Sequence, residues 1–288
     1  MTPPYPDPGT PQSARVTNFL LGGKDHFEAD RSAATHLLTY APEALNAVRQ
    51  VRLFGHRAVQ WLARCGMTQF IDLGCGLPMP EGLNVHEIAH QANPLARVLY
   101  VDRDPIVLVH ARALLAIDAH TTTVDADLTH PAQVLDHPLT GALLDLSVPV
   151  AVLCLSVGHL ISDHTRHRTL TTLATRLPAG SVIVYGQLAA TNAQAAGEIR
   201  HATREAGLDW HLPPTSAIAG AFDQLQHIPP RLDDLSGWRP DPHQRALPTP
   251  DARLRSLLGT GPPEQVIPYG GVLHLGRTSP DKRQENQC

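Results

Sequence analysis

A chain of 288 residues, 42% hydrophobic and 17% charged, carries enough apolar material for one main domain with additions. Its net charge of −4 excludes a general electrostatic attraction to nucleic acid or an anionic membrane. No apolar run approaches the roughly 20 residues that span a bilayer, and the proline-rich opening MTPPYPDPGTPQS lacks the apolar stretch of a signal peptide, so a cytoplasmic protein is expected.

The elements alternate along the chain. Residues 1–14 and 278–288 are polar, charged or proline-bearing and read as flexible tails. Residues 43–65 place Leu45, Val48, Val51, Phe54, Val59 and Leu62 at mainly helical spacing, and TQFIDLGC then reads as a buried strand. NVHEIAHQA is a helix, ARVLYVDR a strand, PIVLVHARALLA a helix and TTTVDADL a strand. PVAVLCLSVG, HRTLTTLATRL and GSVIVYGQL follow as strand, helix and strand. Strands that are apolar throughout need cover on both faces, and their alternation with helices implies parallel crossovers, so the fold class is a doubly wound α/β sheet. Residues 192–225 read as a helical insertion, with Trp210 and Phe222 expected to cover an acceptor. A proline-rich stretch, HIPPRLDDLSGWRPDPHQ, leads to a last strand, YGGVLHLGR.

Cys65, Cys75, Cys154 and Cys288 lack CxxC spacing, and the 17 histidines show no metal-ligand pattern, so neither a disulfide framework nor a metal site is expected. The informative stretch is FIDLGCGLPMPEG, where a buried strand breaks into Gly74 and Gly76. In a doubly wound sheet the exit loop of the first strand is where a ligand approaches the backbone. A dinucleotide fingerprint wants GxGxxG, but Leu77 and Pro78 follow the GxG here, and a proline delays the helix on which a pyrophosphate would rest. S-adenosylmethionine fits better. Asp72 suits its ammonium end, Asp102 closes the next strand where a carboxylate can accept from both ribose hydroxyls, and Asp127 in DADL can accept from the adenine amino group. Each of these acids taken alone could simply cap a helix or satisfy a loop amide.

The segments RVTNFLLGGKDHFEADR, FIDLGCGLP, ARVLYVDRDPIVLVHARALL, VDADLTHP and PVAVLCLSVGHLI, with the later GWRPD and YGGV, resemble the class I S-adenosylmethionine-dependent methyltransferases, and within them the S-adenosyl methyltransferase family. The resemblance covers residues 15–277. It implies a seven-stranded, mostly parallel sheet, a helical lid over residues 15–66 and a helical cover over 192–225. It places Arg15, Gly23, Asp72 and Gly74 at the methionine end, Asp102 at the ribose, Asp127 with Leu128 at the adenine, and Ser156 beside the sulfonium, with Gly76 and Arg103 also among the cofactor-binding residues. The lid departs from the family pattern at Thr17 and Asn18, usually Tyr-Asp, and at His26, usually Asn. The glycines Gly22 and Gly23 can simply make a turn before a helix start, or bring bare backbone to the cofactor, which is what the resemblance favours.

Methyl transfer is a displacement whose rate comes mostly from positioning the acceptor in line with the methyl. Where the acceptor must lose a proton, His159 is the expected base, with His26 and Tyr185 behind it. His159 can equally cap or pack beneath the following helix. The reading is therefore a methyltransferase acting on a small organic acceptor, with secondary metabolism as a candidate setting. Two alternatives stand against it: a cofactor-binding regulator or partner subunit without methyl transfer, and an NAD-linked oxidoreductase.

Overall fold

The computed structural model describes residues 7–80, 82–223, 225–258 and 265–275. In chain order the elements are α1 (Ser13–Leu20), α2 (Glu28–Tyr40), α3 (Ala44–Arg64), β1 (Gln69–Leu73), α4 (Val85–Ala92), β2 (Arg97–Asp102), α5 (Pro105–Leu114) and β3 (Thr121–Asp125). They continue as α6 (Pro131–Leu135), α7 (Pro138–Leu143), β4 (Ala151–Leu155), α8 (Asp163–Arg176), β5 (Val182–Ala190) and α9 (Ala193–Glu205). The chain closes through α10 (Thr215–Gly220), β6 (Gln226–Asp234), α11 (Ala252–Arg255) and β7 (Val266–His274).

The strands form one seven-stranded sheet in the order β3-β2-β1-β4-β5-β7-β6. The first five are parallel; β7 runs antiparallel to both β5 and β6. β1, β4 and β5 are buried at every position, which is why their sequences are apolar runs without polar alternation. Successive residues face opposite sides of the sheet. Phe70, Val98, Tyr100, Leu153 and Val184 therefore join one core with Phe54 and Leu62 of α3, Ile88 of α4 and Val107 of α5. Ile71, Leu99, Val101, Val152 and Ile183 join a second with Leu135 of α6, Leu143 of α7 and Leu173 of α8. A third core belongs to the N-terminal helices, with Val16, Phe19, Leu20, Leu37, Leu38 and Val48 packed alongside Ile199 and Trp210. Burying so many aliphatic and aromatic side chains, each contributing about 1.5–3 kcal/mol, makes the lid an integral part of the body.

Two boundaries differ from the sequence reading. The expected N-terminal tail is ordered over residues 7–14, because the carbonyls of Asp7 and Thr10 accept from Arg15 and α1 already begins at Ser13. The insertion holds two helices, α9 and α10, on either side of a non-helical stretch that runs from around Trp210 to the proline pair. The proline-rich segment from residue 227 contains β6, an exposed edge strand, where a proline's missing N–H costs no ladder bond. The tail 278–288 lies outside the described residues. Among the described residues no helix is long and apolar enough to cross a membrane.

Candidate functional site

Strand order reverses between β1 and β4, and the carboxyl ends of strands at such a reversal open a crevice. A cavity of about 350 Å³ lies there. Gly74–Leu77 after β1, Asp102–Asp104 after β2, Ala126–Thr129 after β3 and Leu155–Val157 after β4 line it, joined by Leu160 and Ile161. The lid closes it with Gln12, Ser13, Ala14, Thr17, Asn18 and Leu21 of α1 and its approach, and with Arg52 of α3.

The glycine loop is built for close approach. Gly74 (φ 69°) and Gly76 (φ 67°) are left-handed, and a Cβ on Gly74 would sit 2.5 Å from Cγ1 of Val157. Gly76 N donates to Asp102 Oδ2 at 3.0 Å, which fixes the loop to the end of the neighbouring strand. Ser156, directly after β4, has φ 56°, a left-handed conformation uncommon outside glycine and the kind of strain found at working sites.

The three strand-end acids have distinct electrostatics. Asp72 is 4% exposed and makes no hydrogen bond among the described residues. Burial pushes its pKa up to about 6, against the pull of Arg52 and helped by the repulsion of Asp102. Asp102 is raised as well, chiefly by burial, although its Oδ1 accepts from Arg103 N (2.8 Å) and Asp104 N (3.0 Å). Burial would also raise Asp127, but hydrogen bonds from Thr129 and the ion pair with Arg103 (Nη1 to Oδ2, 2.7 Å) leave it lowered. Asp104 caps α5 through Ile106 N at 2.8 Å and faces the same cavity.

An unpaired buried carboxylate beside bare backbone is a fitting receptor for an ammonium group, and neighbouring acceptors suit ribose hydroxyls. These residues fit the amino-acid and nucleoside ends of S-adenosylmethionine. A pH dependence follows. Asp72 binds its proton more tightly folded than unfolded, so its contribution to stability is greatest below about pH 4 and is lost as pH rises through about 6. An ammonium ligand favours the ionised form. The affinity for S-adenosylhomocysteine should therefore rise from pH 5 to 7, with a proton released to buffer near pH 6, and Asp72→Asn should flatten the profile. Calorimetry in buffers of differing ionisation enthalpy checks this; a pH-independent wild-type affinity would count against it.

The structure brings Gly74, Gly76, Asp102, Arg103, Asp127, Leu128 and Ser156 to the cavity wall. Gly23 stands behind it: a Cβ there would come within 2.3 Å of Asn18 Nδ2, and Asn18, with Thr17, faces the cavity. Asp72 and Arg15 are not on the wall. Asp72 is buried within β1, two residues before Gly74, and the Arg15 guanidinium is 3% exposed and bonded to Asp30 at 2.8 Å.

The three expected bases are also elsewhere. His159 is 1% exposed, its ring packs edge-on to Trp210 at 4.7 Å, and burial drives its pKa down to about 3, so it stays neutral behind Leu160. His26 is held by Gly23 O (3.2 Å) and Arg31 (3.1 Å) and packs edge-on to Phe19. Tyr185 is buried, donates to Gln187 Oε1, packs on Phe222 and has its pKa raised by burial. The expected cover behaves likewise. Trp210 and Phe222 are sealed inside, Trp210 Nε1 donating to Ser13 Oγ at 2.9 Å, and Asp209 is the residue of that insertion on the cavity wall.

Sequence reasoning missed Arg52, Asp104, Leu160, Ile161 and Asp209. Asp104 alone had a local signal, as an Asp-Pro helix start.

Sheet order, glycine loop and strand-end acids together define a class I methyltransferase fold with a nucleoside pocket. The family described as S-adenosyl methyltransferase matches residues 4–272, and the chain belongs to it. A crystal structure of a candidate methyltransferase from Thermobifida fusca YX is 31% identical, with a TM-score of 0.78, covering 96% of this chain and 100% of that one. A DUF574 family protein from Streptomyces avermitilis MA-4680 is 30% identical, with a TM-score of 0.75 and coverage of 92% and 97%. The plantazolicin methyltransferase BpumL shares the fold alone, at 11% identity and a TM-score of 0.50, covering 92% of this chain and 96% of its own. No curated protein matches the chain. The protein is an S-adenosylmethionine-dependent methyltransferase, which sets aside the dinucleotide reading.

Proposed function

We propose that the methyl acceptor is a small organic molecule, held between Leu160, Ile161 and the lid, and that the protein works in the cytoplasm. The observation that carries this is the enclosure and sign of the cavity: its wall includes Asp102, Asp104, Asp127 and Asp209 against Arg52 and Arg103. An acidic, lidded cleft disfavours a phosphate-rich polymer. A pocket of this size, part apolar, suits a compact ligand. Cys75 and Cys154, buried and free, accord with a reducing compartment.

The cofactor supplies an activated methyl group on a sulfonium. Around it the chain positions: Asp72 takes the ammonium, Asp102 the ribose hydroxyls and Asp127 with Leu128 the adenine, while Gly74 and Gly76 admit it to the backbone and Ser156 stands near the reacting end. Neither His159 nor His26 serves as a base, since His159 is sealed from the cavity and burial makes it a weak proton acceptor, with a pKa of about 3, and His26 is engaged by Gly23 and Arg31. The acceptor is therefore a group already nucleophilic near neutral pH, such as an amine or an activated carbon, or one that gives its proton to water after transfer. The test is incubation with methyl-labelled cofactor and separate panels of small amines, phenols and carboxylic acids, peptides and RNA, read by label incorporation. Transfer to a small molecule supports the reading; transfer confined to a peptide or RNA overturns it.

A further inference from the structure

Arg52 stands out among the charges of the cavity because nothing holds it. Arg103 is paired with Asp127 and Arg15 with Asp30. Arg52, half-buried on α3, lines the cavity and makes no hydrogen bond or ion pair among the described residues. Its position within the cavity is marked by the groups that feel its charge: it pulls down Asp72 and Cys75 at the end of β1 and disfavours protonation of buried His56. Arg52 therefore shares the cavity wall with Gly74–Leu77 after β1, and its charge reaches Asp72 in that strand.

A free guanidinium beside an unpaired carboxylate is a receptor for a zwitterion. Guanidinium is weakly hydrated, always charged, and presents a planar fork that matches a carboxylate. Asp72 offers the complementary acceptor for the ammonium of the same amino acid. We propose that Arg52 binds the α-carboxylate of the cofactor's amino-acid end, and that Arg52 and Asp72 together select ligands carrying an intact amino acid. This rests on the cofactor assignment above and adds the residue that reads its carboxylate, at the end of the ligand near which the sequence resemblance puts Arg15. The pairing also explains how Asp72 remains available: Arg52 lowers its pKa through space without engaging it in a hydrogen bond.

The test separates the carboxylate from the rest of the ligand. Calorimetric titrations compare wild type, Arg52→Ala and Arg52→Lys with three ligands: S-adenosylhomocysteine, 5′-methylthioadenosine, which lacks the amino-acid end, and decarboxylated S-adenosylmethionine, which keeps the amine and lacks the carboxylate. Arg52→Ala is expected to weaken S-adenosylhomocysteine by about ten- to a hundredfold, as removal of a charged hydrogen bond does. Affinity for the two ligands without a carboxylate should stay within about twofold, which also shows the pocket intact, and Arg52→Lys should recover part of the loss. If Arg52→Ala leaves S-adenosylhomocysteine unchanged, or weakens all three ligands alike, the assignment is overturned while the cofactor site stands. If wild type binds none of the three, the cofactor assignment falls and this one with it.

Discussion

Arg15→Ala is expected to destabilise the protein by about 3–5 kcal/mol, the usual consequence of stranding one partner of a buried ion pair. Arg15 and Asp30 are 3% and 0% exposed at their side chains, and Nε to Oδ2 is 2.8 Å. Asp30 is also the lid's junction: it accepts from Gln12 N at 2.9 Å and Phe27 N at 2.8 Å, so it binds the approach to α1 and the start of α2 to one carboxylate. Without Arg15 that carboxylate is buried and charged with only neutral donors around it. Denaturant unfolding measures the loss, and hydrogen exchange should localise it to α1 and α2. Asp30→Asn should weaken the same helices, loosening Gln12 of the cavity wall with them, and both variants should bind S-adenosylhomocysteine less tightly in proportion to lid opening. A variant Arg15→Ala with an unchanged unfolding midpoint and a weakened cofactor affinity would return Arg15 to the pocket, as the family resemblance implies.

The case of Arg15 shows why some of the site was legible in the sequence and some was not. β1 to β5 announce themselves because burial on both faces demands continuous apolar runs, and the acids closing β1 and β2 and following β3 inherit their positions from that register. Asp102 and Asp127 are therefore placed by sequence pattern, whereas β6 is not. It is an edge strand whose outward residues meet solvent, so its prolines and charges look like a loop. Side chains whose fate depends on a distant partner are equally silent. Nothing local to Arg15 says that Asp30 will claim it. Nothing local to His159 says that Trp210 will seal its ring. Arg52 sits among apolar residues of a helix and looks like any solvated arginine until α3 is packed over the carboxyl end of β4, where Leu155 meets Gly55 so closely that a Cβ would lie 2.4 Å away. The sheet gives position to residues at its strand ends; the lid gives position only through packing.

Asp102→Ala is expected to weaken S-adenosylhomocysteine by about 1.5–3 kcal/mol, roughly ten- to 150-fold, because a charged acceptor for the ribose hydroxyls is removed. Part of that loss arises before any ligand arrives. Asp102 holds Gly76 N, Arg103 N and Asp104 N, so the alanine variant frees three backbone donors and loosens the glycine loop. Asp102→Asn does not escape this: its amide presents donors on one side where the loop also presents donors. A second signature separates the ribose contact from general loosening. The charge of Asp102 raises the pKa of Asp72, so its removal lets Asp72 ionise at lower pH, and the pH profile of cofactor affinity should move below its wild-type midpoint near 6. Titrations of S-adenosylhomocysteine and of its 2′-deoxyribose analogue from pH 5 to 8 read both effects. Wild type should prefer the ribose form and Asp102→Ala should lose that preference. If the variant keeps it, some group other than Asp102 reads the sugar, and Asp102 acts on the cofactor only by holding the glycine loop and by the field it sets around Asp72.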